Sequence, residues 1–102
     1  MHLVQILLPL YDNERQPFPP EAYDGVRRTL TERFGGLTVF HREPAEGVWR
    51  PSENHTTRDD LAIFEVMVTE LETAWWSQYR RELEEQFRQD VIMIRAHQTQ
   101  LL

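Results

Sequence analysis

Glu65 is the residue that most invites chemistry, because it interrupts an otherwise apolar run, Ile63-Phe64-Glu65-Val66-Met67. A carboxylate among apolar neighbours serves either as a base or anchor for a ligand, or as one end of a structural ion pair. Arg95 and His97 stand two positions apart in the last apolar stretch, the spacing that puts both side chains on one face of a strand. These three, Glu65, Arg95 and His97, are the candidate catalytic residues. Trp49 and His55 fall in a long polar segment, where an indole and an imidazole suit the roof of a pocket or a subunit contact. Ser52, Thr56 and Thr57 lie near His55, but neither a glycine-flanked nucleophile elbow nor a phosphate-cradling glycine loop accompanies them. The four histidines, His2, His41, His55 and His97, lack the close spacing of a helical zinc motif, so no metal and no cofactor is expected.

The elements that must position these residues follow from hydrophobic period. Residues 2–10 alternate as a strand, with Val4, Ile6 and Leu8 on one side and Leu3, Gln5 and Leu7 on the other. Pro17, Pro19 and Pro20 stop that strand and favour a helix starting near Pro20, since proline lacks a ladder donor but suits a first helical turn. Tyr23, Val26, Leu30 and Phe34 then recur at helical spacing until Gly35-Gly36 supplies a left-handed stop. Residues 37–42 and 60–69 read as strands, separated by a polar loop over 43–59 that far exceeds a hairpin connection of about two to five residues. Thr69 and Glu72 have capping-box spacing, and Trp76, Tyr79, Leu83 and Phe87 mark the apolar stripe of a second helix. Trp75 and Trp76 point about 100° apart, so only one of them faces the core fully. Residues 91–97 close the chain as a fourth strand.

The order β-α-β-β-α-β predicts an α+β ferredoxin-like sandwich over residues 1–102: a four-stranded antiparallel sheet in the order 4-1-3-2 with both helices on one face. The helices should cover Val4, Ile6, Leu8, Phe64, Val66, Ile92 and Ile94. The opposite face is then mixed. It carries Leu3, Gln5, Leu7, Ile63, Glu65, Met67, Met93, Arg95 and His97. An apolar patch of this kind marks association or ligand binding. Three readings stay open: a dimer interface with a buried Glu65–Arg95 ion pair beside Gln5, a cavity for a small apolar ligand between two such faces, or a solvated surface. His41 and His97 fall on opposite sheet edges and should not meet within one chain.

Composition narrows the classes. Seventeen acidic against eleven basic side chains give a net charge of −6, which repels phosphate backbones unless the cations cluster, and the arginines are dispersed. An RNA-recognition module shares this topology but needs aromatics on its central strands, where Gln5 and Glu65 stand. Nucleic acid is therefore not expected as a partner. The absence of cysteine rules out disulfides and thiolate chemistry and fits a cytoplasmic setting. The apolar run Leu3 to Leu10 has neither a basic leader nor a cleavage site, and it is too short to span a bilayer, so no membrane association is expected. Asn54-His55-Thr56 matches a glycosylation acceptor, a match without consequence if the chain is not secreted.

The stretch Arg33-Phe34-Gly35-Gly36-Leu37-Thr38-Val39, then Gly47-Val48-Trp49, and the segment from Tyr79-Arg80-Arg81 through Phe87-Arg88-Gln89 resemble a family of short uncharacterised bacterial proteins. The resemblance covers roughly two thirds of the chain. It implies a ferredoxin-like domain and lends no catalytic residue.

Three functional expectations follow. The first is a homodimeric ferredoxin-like binding or interaction module using its open sheet face. The second is a cofactor-free enzyme resembling the dimeric α+β barrel proteins, with Glu65, Arg95, His97 and Trp49 about a small apolar substrate. The third is an accessory protein that offers an acidic helix surface, Glu70, Glu72, Glu82, Glu84 and Glu85, to a partner.

Overall fold

The computed structural model describes residues 1–42 and 61–102, with the side chains of residues 41 and 42 outside the description. The elements are β1 (His2–Pro9), α1 (Pro20–Phe34), β2 (Thr38–Arg42), β3 (Leu61–Val68), α2 (Thr73–Gln86) and β4 (Met93–Gln98). All strand pairs are antiparallel, in the order β2-β3-β1-β4. The connection through α1 sets β2 two places from β1, and β3 occupies the slot between them. This is the expected ferredoxin-like βαββαβ arrangement.

Local chemistry explains where the elements start and stop. Between β1 and α1, the Asp12 carboxylate accepts the backbone N–H groups of Glu14 (2.8 Å) and Gln16 (2.9 Å), closing a tight turn. Pro20 then opens α1, after Pro19 in extended geometry. Gly35 ends the helix at φ +84°, where its N–H bonds to the Thr31 carbonyl at 2.8 Å. The second helix departs from expectation. No capping box forms at Thr69; Glu72 is the N-cap, without a side-chain cap bond, and the helix begins at Thr73. The Glu72 carboxylate is instead taken by Arg33 at 2.7 Å, joining the start of α2 to the end of α1. At the other end, Arg88 takes a left-handed φ of 53°, its N–H reaching the Glu85 carbonyl and that of Gln89 the Glu84 carbonyl. This is a Schellman stop built without glycine.

The core lies between the sheet and the helices. Val4, Ile6, Leu8, Phe64, Val66 and Ile92 are all buried, meeting Val26 and Leu30 from α1 and Trp76, Tyr79 and Leu83 from α2. Ile94 is half-buried against the same cluster. Among the described residues no polar or charged residue is buried, so this layer holds the fold by apolar packing. Aromatic rings tie the helical layer together: Phe34 of α1 stacks on Trp76 of α2 with centroids 5.2 Å apart, and Phe18, before α1, meets Phe87, just after α2, edge-on at 5.0 Å.

Candidate functional site: the open sheet face

Strand register arranges the uncovered face in rows. Gln5 of β1 pairs with Glu65 of β3 on one side and Arg95 of β4 on the other, and Thr38 of β2 lies beyond Glu65. One row along are Phe40, Ile63, Leu7 and Met93; on the other side are Met67, Leu3 and His97. A polar strip thus crosses the middle of the face between two mostly apolar rows.

Hydrogen bonds join Glu65, Gln5 and Arg95 along the strip. The Gln5 amide nitrogen donates to Glu65 Oε2 at 2.5 Å, and Arg95 Nε donates to Gln5 Oε1 at 2.8 Å. Within one chain Glu65 and Arg95 make no direct ion pair. Glu65 and Arg95 stand on strands that flank β1, so their backbones are about 10 Å apart, two strand spacings, and the Gln5 amide fills the gap. An amide that donates to an anion while accepting from a cation joins the two charges through charge-assisted bonds. Among the described residues, Glu65 Oε1 and the two terminal nitrogens of Arg95 have no hydrogen-bond partner, so each charge keeps bonding capacity on the face.

The apolar members of the face are half-buried or exposed. Leu3, Leu7 and Ile63 are half-buried, whereas Phe40, Met67 and Met93 are 44%, 41% and 50% exposed. His97 is exposed on the edge strand, one row from Arg95 and paired with Leu3. The candidates Gln5, Leu7, Ile63, Glu65, Met67, Met93, Arg95 and His97 therefore share one face. Trp49 and His55 lie outside the described residues, as does the 43–59 loop. β2 and β4, which carry His41 and His97, are the two opposite edges of the sheet.

Other expected features resolve into packing. Trp76 is buried, and Trp75 stands under the Arg33 guanidinium, 4.3 Å from its ring, in contact with Phe34 and Tyr79. Its ring is thus engaged by the chain itself. Of the acidic helix residues, Glu70, Glu72, Glu82 and Glu85 are exposed and Glu84 is half-buried, and three of the five are engaged within the chain. Glu72 holds Arg33, Glu82 accepts from Gln78, and Glu84 Oε2 accepts the Ile92 N–H at 3.0 Å.

One feature escaped the sequence reading. A groove of about 270 Å³ beside α1 is lined by Leu10, Phe18, Tyr23, Arg27, Val39 and Phe64. Its walls come from four separate segments, so no local pattern announces it. Tyr23 is anchored there, its hydroxyl donating to the Pro9 carbonyl at 2.6 Å, and burial pushes its pKa up to about 12. Burial also pushes Tyr79 up to about 12, opposed by a Thr29 hydrogen bond and reinforced by Glu82.

Among the described residues no three His, Asp or Glu side chains converge as a metal site, and no helix is long and apolar enough to cross a membrane. No protein-family model matches the chain, and no curated protein is significantly similar to it.

Proposed function

We propose that the protein is a small cytoplasmic interaction module that works as a homodimer, with the open sheet face as its interface. The observation that carries this reading is the face itself. The other side of the sheet is covered by helices, yet this side carries Leu3, Leu7, Ile63, Met67 and Met93 around a narrow polar strip. An antiparallel sheet with one wet face ordinarily turns polar residues outward; an apolar array there favours a partner. A second copy supplies matching apolar rows. Sedimentation across a dilution series tests the proposal: a dimer at micromolar concentration is expected, and a strict monomer there overturns it.

A second reading draws on the bonding capacity that Glu65 and Arg95 keep among the described residues. Between two copies, these groups would orient a small, mostly apolar ligand, in the manner of a cofactor-free enzyme resembling the dimeric α+β barrel proteins. Glu65 would be the base or anchor and Arg95 the cation opposite it. That resemblance is of fold, which hosts many chemistries. Native mass spectrometry of the purified protein separates the two readings. A co-purifying small molecule lost on Glu65→Gln supports the ligand site, whereas a ligand-free dimer supports the interaction module.

A further inference from the structure

We propose, building on the homodimer reading above, that the two copies meet about a two-fold axis parallel to β1 and centred over it, so that Glu65 of each chain pairs with the partner's Arg95. The order of charge across the sheet dictates this pairing. Glu65, Gln5 and Arg95 run negative, neutral, positive in one row, centred on β1 and held in that row by the two Gln5 hydrogen bonds.

A two-fold axis that brings two copies of one sheet face together lies between them, and the two directions that lay strand along strand are across the strands and along them. An axis across the strands sets every strand on its own copy. Set over the charged row, it makes Glu65 face the partner's Glu65 and Arg95 the partner's Arg95, desolvating like charges; set between rows, it covers each charge without a counter-charge. An axis along the strands reverses the order across the sheet. Centred midway between β3 and β1, it would overlap all four strands, but Glu65 would face the partner's Gln5 and Arg95 would face Thr38 of the partner subunit. Both charges would be covered without a counter-charge. Centred over β1, it sets β3 on the partner's β4: Glu65 meets the partner's Arg95, Ile63 meets the partner's Met93, and Gln5, Leu3 and Leu7 meet their own copies.

This last arrangement leaves edge strand β2, with the exposed Phe40, outside the overlap. Charge pairing outweighs that lost area because a covered, uncompensated charge is costlier than one uncovered aromatic edge. Aligned sheet packing keeps strand directions within about 30° of each other, so an axis along β1 is a permitted packing and keeps the central row, the one carrying the charges, in register. Glu65 Oε1 and the terminal nitrogens of Arg95, which have no partner among the described residues, are the atoms this pairing uses. The Gln5 amides stay in place as the intrachain spacer.

Sedimentation velocity on wild type, Glu65→Arg, Arg95→Glu and an equimolar mixture of the two variants tests the geometry, with circular dichroism confirming that each is folded. Each variant alone should dimerise at least ~100-fold more weakly than wild type, because every interchain pair becomes like-charged. Mixing them recreates opposite charges at both contacts and should restore association as a heterodimer. Phe40→Ser should leave wild-type association unchanged, whereas either rival axis puts Phe40 in the contact and predicts weakening. A wild-type monomer removes the homodimer reading and this geometry with it. A wild-type dimer that tolerates Glu65→Arg, gains nothing from mixing, or weakens on Phe40→Ser overturns the geometry alone.

Discussion

At the scale of single residues, Gln5 is the hinge of the open face. It satisfies a carboxylate on one side and a guanidinium on the other, and it is half-buried. Hydrogen bonds to charged groups contribute more than neutral ones, but here water can replace part of the loss. Gln5→Leu is expected to cost about 1 kcal/mol in urea unfolding, although leucine adds apolar area. The tyrosines give a pH signature. Tyr23 and Tyr79 are raised from 10.0 to about 12 by burial, so the folded protein holds their phenolic protons more tightly than the unfolded chain does. Stability from this source is complete below pH 10 and lost as pH rises from 10 toward about 12. The thermal midpoint should therefore fall across that window, and the fall should be shallower in Tyr79→Phe. Ultraviolet titration should show Tyr23 and Tyr79 ionising only near 12.

At the scale of elements, the two helices end by different means. α1 stops at Gly35, whose positive φ costs a glycine little. α2 stops with the same left-handed geometry at Arg88, where a side chain is present. Replacing Arg88 by Gly should relieve that conformational cost and stabilise the protein by about 0.5–1 kcal/mol, read from the urea midpoint. A loss of stability would mean that the Arg88 side chain makes a compensating contact. The helices are also tied to each other by Arg33, which bonds Glu72 and covers Trp75. The pair is exposed, so its ionic part is worth little and should weaken further in salt.

At the scale of the whole molecule, a wholly apolar core among the described residues means that stability depends on packing. Phe87 is fully buried where α2 ends and touches Phe18 and Tyr23. Phe87→Ala should cost about 3–5 kcal/mol in equilibrium unfolding, a large share of the roughly 5–15 kcal/mol typical of a domain. The same architecture shows what the sequence by itself determined. Strand alternation assigned Val4, Ile6 and Leu8 to the core, where they are buried, and Gln5 to the far face; helical spacing picked out Tyr23, Val26, Leu30, Phe34, Trp76, Tyr79, Leu83 and Phe87, of which all but the half-buried Tyr23 and Phe34 are buried. Pro20 and Gly35 marked the ends of α1 where the structure has them. These are local signals, set by the backbone period and by residues with restricted or unusual φ. The sequence could also place Glu65, Arg95 and His97 on one face, because period two follows each strand separately. It could not give the capping of α2, since Glu72 is captured by Arg33 from a distant helix, nor its stop at Arg88, where a residue without glycine's freedom takes a glycine's conformation. Only the tertiary structure decided that Gln5 stands in one row with Glu65 and Arg95 and bonds to both. That result depends on register between strands sixty and ninety positions apart in the chain, and register is fixed by the summed packing of whole strands, which no single stretch of sequence contains.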